Sequence, residues 1–127
     1  MAIVGIGTDI VEIARLEGAI ERHGEGFLRQ FLTEPELALI PELPQRRREF
    51  LAGRWAAKEA VAKALGCGFG ARCGWHDIRI LRGDAGEPRV ELTGTAAETA
   101  RDLGVVSWHL SISHEKTFAV AFAVAEL

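Results

Sequence analysis

The polar residues that solvation explains least in this sequence are two carboxylates, a lysine and a short serine and histidine segment. Asp9 lies in an apolar N-terminal stretch, Glu59 and Lys63 lie in an alanine-rich run, and residues 111–114 read SISH. Two carboxylates form a partial Mg²⁺ site, because this ion keeps several waters and takes further oxygens from substrate phosphates. A lysine, a serine and a histidine could bind phosphate oxygens. The set indicates metal-assisted chemistry on a phosphate or diphosphate ester.

The two carboxylates and the lysine also have simpler interpretations. Glu59 and Lys63 could form an exposed ion pair on one helix, worth only about 0.2–0.5 kcal/mol. Asp9 could end a strand or cap the next helix. Small neighbours favour a site: alanines surround the Glu59–Lys63 pair, and Gly5 and Gly7 share the strand face of Asp9. Glycines in a strand allow close approach of another backbone or of a ligand.

A long helix is predicted from Phe50 to Gly66. The run is rich in Ala and Leu, contains no Pro and ends at a glycine, which favours a helix with a C-terminal cap. At about 100° per residue, Glu59 and Lys63 share one face of it. Arg46 to Arg48 open this helix against its dipole. They either attract an anionic partner or form a solvated charge run.

Strands and short helices are predicted around this helix. Alternation indicates a strand from Ile3 to Ile13, and helical spacing follows from Ala14 to about His23. Thr33 and Glu36 fit a capping box that begins a short helix of roughly 34–40. Further on we expect a hairpin of strands at 75–82 and 89–92, a helix from Thr93 that stops at Gly104, and a last hairpin at 105–115 and 118–124. This order predicts an α+β fold with a mostly antiparallel sheet.

The last strand alternates bulky residues with alanines from Phe118 to Val124. Such a strand is covered on both sides, by a helix or by another subunit. In the strand before it, Val106, Trp108, Leu110 and Ile112 are predicted to point inward.

Composition narrows the class of protein. The 127 residues are 48% hydrophobic and 26% charged, which predicts one domain over 1–127. A net charge of −3 without a basic tract argues against nucleic acid as a partner. The sequence shows neither a secretory signal nor a membrane-spanning run, so we expect a cytoplasmic protein without a membrane partner. Cys67 and Cys73, in a glycine-rich loop taken as mobile, are expected to be free thiols without a role.

Three motifs carry a resemblance to a known family. GIGTDIVEI at 5–13, RWAAKEAVAKALG at 54–66 and LSISHE at 110–115 resemble holo-[acyl-carrier-protein] synthases, the stand-alone 4'-phosphopantetheinyl transferases. The resemblance implies their fold, with a mostly antiparallel sheet packed against a long central helix. It implies transfer of the 4'-phosphopantetheine of coenzyme A to a serine of apo acyl carrier protein, releasing adenosine 3',5'-bisphosphate, in fatty acid or polyketide biosynthesis. A homotrimer with active sites at subunit interfaces is also implied.

The same resemblance assigns roles to the catalytic residues. Asp9 and Glu59 would bind Mg²⁺ with the diphosphate of coenzyme A, and Lys63 would assist the leaving group. Ser113 and His114 would belong to the coenzyme A pocket, supplied by the neighbouring subunit. The proton acceptor is left open between a metal-bound water, Glu59 and His114.

Further residues are assigned to binding. Arg54 and Gly66 would contribute to the coenzyme A site. Arg15 and Arg22 would dock the acidic carrier protein, and the alanine face of the last strand would pack at the trimer interface. Two other classes stay open: a coenzyme A-binding or carrier-binding module without catalysis, and a structural oligomer that uses the alanine strand.

Overall fold

The computed structural model describes residues 2–127. Its helices are α1 (Ile13–His23), α2 (Glu25–Phe31), α3 (Glu34–Leu37), α4 (Pro44–Ala64) and α5 (Gly94–Leu103). Its strands are β1 (Ile3–Glu12), β2 (Ile78–Arg82), β3 (Pro88–Leu92), β4 (Ser107–His114) and β5 (Phe118–Glu126). None of these helices is both long and apolar enough to cross a membrane.

All strand pairs are antiparallel. One sheet has the order β1-β5-β4, and β2 pairs with β3 in a second sheet. The long helix α4 packs across the inner face of the three-stranded sheet. The predicted α+β architecture, an antiparallel sheet packed against a long central helix, is thereby confirmed.

Glycines in β1 allow α4 to approach the sheet closely. A Cβ atom added at Gly5 would overlap the carbonyl oxygen of Ala64, and one added at Gly7 would overlap that of Ala60. The sequence left open whether a backbone or a ligand approaches these glycines. The structure shows that the helix backbone does.

The alanine face of β5 also packs against α4. Ala119, Ala121, Ala123 and Ala125 are all buried within the chain. The prediction that these alanines form a subunit interface is therefore wrong. The opposite face of β5 is the exposed one: Phe118, Val120 and Phe122 are 38%, 37% and 46% exposed.

Helix α4 begins six residues earlier than Phe50, the predicted start. Pro44 stands in its first turn, where proline is tolerated because that N–H has no partner within the helix. Two of the three arginines in this extension form ion pairs, Arg47 with Glu25 at 3.7 Å and Arg48 with Glu17 at 3.6 Å. These are surface pairs of small energetic value.

Other boundaries also differ from expectation. Helix α2 was not predicted, because seven residues with a glycine inside carry a weak helical signal; burial of Leu28 and Phe31 stabilises it. The capping box of Thr33 is present, but α3 ends at Leu37. The stretch Trp75–Asp77 forms a 3₁₀ turn instead of a strand. Val106 precedes β4 and is 80% exposed, so its predicted inward position is wrong.

Within the glycine-rich loop, Cys67 and Cys73 are free thiols as predicted. Cys73 is fully buried, and Gly70 pairs with it in an isolated bridge. Burial, and the nearby Cys67, raise the pKa of the Cys73 thiol to about 12. This thiol is therefore part of the core and stays protonated at neutral pH.

Gly7→Ala tests the close approach of α4. We expect it to lower the free energy of unfolding by about 1–3 kcal/mol, because the added methyl group meets a helix carbonyl that cannot move freely. Gly26→Ala is the control, since nothing lies within 4 Å of a Cβ at that position in α2, and it should be neutral or slightly stabilising. Urea denaturation measures both. Equal stability of Gly7→Ala and the parent chain would contradict this packing.

Candidate active site

Asp9, Glu59 and Lys63 meet where β1 crosses the second half of α4. Alternation along β1 places Asp9 on the same side as Gly7, facing the helix. The Lys63 ammonium donates hydrogen bonds to Asp9 Oδ1 at 3.1 Å and to the carbonyl oxygen of Thr8 at 2.9 Å. Residues that lie more than fifty positions apart in the chain are thus brought together.

The two carboxylates repel each other. Burial raises the pKa of Glu59, the negative charge of Asp9 raises it further, and Lys63 opposes both. A cation between the two carboxylates would relieve this repulsion. Within residues 2–127 no group of three or more His, Cys, Asp or Glu side chains forms a metal cage. Two carboxylates are a donor set that would fit an ion such as Mg²⁺, which takes its other ligands from water and phosphate oxygens.

A cavity of about 750 Å³ opens beside this pair. Its charged edge consists of Asp9, Glu12, Glu59 and Arg15. Its remaining surface is largely apolar and includes Leu16, Ala19, Phe27, Trp55 and Phe118. We call it the carboxylate cavity. Its size and mixed lining suit a flexible, partly apolar substrate next to the charged residues.

A second cavity, of about 430 Å³, lies at the first half of α4. Arg46, Arg54, Arg82 and His114 line it, together with Gly86 of the β2–β3 connection, Pro88 at the start of β3, and Glu49, Phe50, Gly53 and Ile112. We call it the arginine cavity. Three guanidinium groups around one cavity favour an anionic ligand such as a phosphate ester.

Arg54 is the most firmly held of these arginines. Arg54 is only 9% exposed. Its Nε–H donates to the carbonyl oxygen of Ile80 at 3.0 Å, and its guanidinium lies 4.4 Å from the centre of the Phe50 ring. The pKa of Arg54 is lowered to about 10, mainly because the residue is buried. The negative charge of Glu36 raises this pKa, and the positive charge of Arg82 lowers it. Arg54 is therefore still charged at neutral pH.

His114 has a carboxylate neighbour in the arginine cavity. Its Nδ1 lies 3.5 Å from Glu49 Oε2. Ser113, the residue before it, is exposed and lines neither cavity. Successive residues of a strand point to opposite faces of a sheet, so β4 separates two residues that were predicted to share one pocket.

The two cavities lie on different faces of α4. They share no lining residue. Arg54 and Glu59 are five positions apart, which is about 140° around the helix. Neither cavity of this chain therefore contains both the carboxylates Asp9 and Glu59 and the guanidinium of Arg54.

The remaining predicted residues lie at the edges of these features. Gly66 follows α4 with a positive φ of 77°, donates its N–H to the Lys63 carbonyl oxygen at 2.9 Å, and lines neither cavity. Arg15 lines the carboxylate cavity, whereas Arg22 lies exposed in the last turn of α1. Seven positions separate these two arginines, so they project from one side of the helix.

The sequence analysis missed four charged residues near these cavities. Arg46 was treated only as part of a triplet, and Glu49 and Arg82 carry no local signal that separates them from other surface charges. Glu36 was predicted only as a cap, yet its carboxylate is fully buried against Lys58. The available signal was the position of Lys58, which shares its part of α4 with the apolar residues Ala57 and Val61.

Three features of the site are typical of enzymes that act on phosphate esters. They are a carboxylate pair that could hold Mg²⁺, a lysine beside it and a separate arginine-lined cavity. The model of the 4'-phosphopantetheinyl transferase superfamily matches residues 5–123. The chain belongs to this family, and the resemblance drawn from its three motifs is confirmed.

Relatives cover the chain almost from end to end. The holo-[acyl-carrier-protein] synthase of Hydrogenovibrio crunogenus is 48% identical over 124 residues, which are 98% of this chain and 97% of the relative. That of Alkalilimnicola ehrlichii has the same identity and coverage.

Solved structures show the same fold. The holo-[acyl-carrier-protein] synthase of Neisseria meningitidis superposes with a TM-score of 0.90 at 34% identity, covering 99% of this chain and 100% of the other. The Bacillus anthracis protein, in complex with CoA (3',5'-ADP), gives 0.80 at 40% identity, with 97% and 96% covered. The Helicobacter pylori enzyme, in complex with coenzyme A, gives 0.84 at 35% identity, with 95% and 99% covered.

Glu59→Gln tests the repulsion between the carboxylates. A raised pKa means that the folded protein holds the Glu59 proton more tightly than the unfolded chain, so this residue costs stability above its folded pKa and none below its unfolded pKa. In EDTA at pH 7.5 the variant should therefore melt a few degrees higher than the parent. The difference in melting temperature between variant and parent should disappear as the pH falls toward the ordinary pKa of glutamate.

If the two carboxylates hold Mg²⁺ together, added Mg²⁺ should reverse the order of the two melting temperatures, because an ion bound by both carboxylates would stabilise only the parent chain. The control is Glu98→Gln on the exposed surface of α5, which should match the parent with and without Mg²⁺. A Glu59→Gln variant that melts below the parent in EDTA would contradict the repulsion.

Proposed function

We propose that this chain transfers the 4'-phosphopantetheine group of coenzyme A to a serine of apo acyl carrier protein, which releases adenosine 3',5'-bisphosphate. The product would serve fatty acid or polyketide biosynthesis. The observation that carries the proposal is the Asp9, Glu59 and Lys63 cluster, in a chain covered by relatives named for this reaction. Two similar structures are described as complexes with coenzyme A or 3',5'-ADP.

Asp9 and Glu59 are the proposed ligands of Mg²⁺. The raised pKa of Glu59 and the closeness of the two carboxylates support this assignment. When bound, the ion would offset negative charge on the diphosphate during transfer.

Lys63 would stabilise the leaving group. In the proposed reaction the carrier serine attacks the β-phosphorus in line, and the bond to the adenosine 3',5'-bisphosphate oxygen breaks. The Lys63 ammonium is hydrogen-bonded to Asp9 in this structure. During transfer it could neutralise charge on the leaving oxygen. The serine proton would pass to one of two side chains that we leave as alternatives, Glu59 at the carboxylate cavity or His114 at the arginine cavity.

The arginine cavity is the proposed site of the nucleotide end of coenzyme A. Arg54 is fixed there, and Arg46, Arg82 and His114 surround the same space. Ser113 and Gly66 line neither cavity of one chain, so a role for either in coenzyme A binding requires a second copy of the chain.

We propose a homotrimer with active sites at subunit interfaces. A contact in which a face of one subunit meets a different face of the next can close into a ring, and such a contact would join a carboxylate cavity to an arginine cavity. The outer face of the three-stranded sheet offers the apolar surface for it, because large exposed side chains occupy neighbouring positions on β1 and β5. These are Ile6, Ile10, Phe118, Val120 and Phe122.

The carrier protein would dock on α1. Arg15 stands at the carboxylate cavity and Arg22 lies two turns further along the helix. An acidic partner bound by both would deliver its serine next to Asp9 and Glu59. Residues 1–127 would act as one transferase domain in the cytoplasm, where the two free thiols would stay reduced; we propose no membrane or nucleic-acid partner.

Arg15→Glu tests the docking surface. It should raise KM for the carrier protein about tenfold and leave KM for coenzyme A within twofold, because charge reversal at a binding surface acts on the charged partner. Arg101→Glu, on exposed α5, is the matched control. Equal changes in both KM values would count against docking at α1.

Mixed oligomers test the shared active site. Glu59→Gln and Arg54→Ala should each be inactive alone, because each lacks one half of every site. After the two are unfolded together and refolded, about one quarter of the interfaces should combine an intact carboxylate cavity with an intact arginine cavity. Transfer activity should return to about that fraction. Activity that stays at the level of the separate variants would place the whole site within one chain.

A further inference from the structure

A fully buried ion pair lies outside both cavities. The side chains of Lys58 and Glu36 have no exposure, and Lys58 Nζ lies 2.7 Å from Glu36 Oε1. The ammonium also donates to the carbonyl oxygens of Phe31 at 2.5 Å and Trp75 at 3.1 Å. All three of its N–H groups are therefore used.

The other oxygen of Glu36 is linked to the arginine cavity. Glu36 Oε2 accepts the Ile80 N–H at 2.8 Å, and the Ile80 carbonyl oxygen accepts the Arg54 Nε–H at 3.0 Å. Arg54 and Lys58 are one turn apart on α4. This series of bonds leaves α4 at Lys58, passes through α3 and β2, and returns to α4 at Arg54.

The negative charge of Glu36 also offsets the repulsion among neighbouring cations. Burial lowers the pKa of Lys58, Glu36 raises it, and Arg54 and Arg79 lower it again. The Glu36 carboxylate therefore balances three neighbouring positive charges. Loss of its charge would leave these cations to repel one another and would release the strand segment that fixes Arg54.

We propose that Glu36 is a positioning residue for the arginine cavity: through the backbone of Ile80 it fixes the guanidinium of Arg54 where a phosphate of the substrate binds. The inference rests on the proposed function, which assigns the nucleotide end of coenzyme A to this cavity. Glu36 touches neither the cavity nor the reacting atoms and acts only through Arg54.

Glu36→Gln is the test, with adenosine 3',5'-bisphosphate as the probe in calorimetric titration. The variant should bind it at least about fivefold more weakly, because the Ile80 N–H and Lys58 lose a charged acceptor and Arg54 loses its fixed position. KM for coenzyme A should rise by a similar factor and kcat should change less than twofold. Loss of a negative charge alone would make the cavity more positive and strengthen binding, so unchanged or tighter binding overturns the proposal.

Two controls separate positioning from stability. Ile13→Ala removes buried volume from α1, which makes none of the bonds between Lys58, Glu36, Ile80 and Arg54, so it should lower the melting temperature and leave the dissociation constant within twofold. In an Arg54→Lys background, Glu36→Gln should cost less than a further twofold, because a lysine cannot donate from the Nε position. A full additional loss in that background would overturn the proposal.

If Glu36→Gln does not fold, the pair is replaced by apolar residues, Glu36→Leu with Lys58→Met, which removes both buried charges together. This variant should fold and still bind the probe at least about fivefold more weakly. Parent-like binding overturns the inference while leaving the proposed function intact. A parent chain that neither binds the probe nor transfers the phosphopantetheine group would overturn both.

Discussion

The close packing of α4 against β1 and β5 is the constraint on which the rest of the structure depends. The helix lies so near the sheet that glycine is required at residues 5 and 7, and alanine fills the inward positions of β5. Larger residues would move the helix outward by the length of a side chain. Because Asp9 follows Gly7 on the same face, the short distance also brings its carboxylate to Glu59 and Lys63.

The direction of α4 explains why the two cavities are separate. Over its 21 residues the helix presents the carboxylate cavity and the arginine cavity on different faces. Glu59 and Lys63 meet β1, whereas Arg54 meets β2 and the end of β4. Assembly of identical subunits is a simple way to bring two such faces to one substrate. The exposed apolar face of the sheet would give the proposed assembly a surface to bury.

Much of this organisation could be predicted from the sequence. The periodicity of residues 50–66 predicted the helix and the shared face of Glu59 and Lys63, and the glycines near Asp9 predicted a close neighbour. Contacts between distant segments could not be predicted this way. Nothing in the sequence around Glu36 indicates that Lys58 and Ile80 will bury it. The alanine face of a strand can pack equally well against a helix of the same chain or against another subunit. For this reason the alanine face of β5, which α4 covers, was wrongly predicted to pack at a subunit interface.

The most direct test of the account is the mass of an apo acyl carrier protein after incubation with this chain and coenzyme A, first with Mg²⁺ and then with EDTA. We predict that the carrier gains the mass of one phosphopantetheine group with Mg²⁺ and none with EDTA, because in the proposed reaction a cation held by Asp9 and Glu59 offsets the charge of the diphosphate. A carrier of unchanged mass, from a preparation that binds coenzyme A, would contradict the assignment of catalysis and indicate a binding module. A full gain in EDTA would contradict the role of the carboxylate pair.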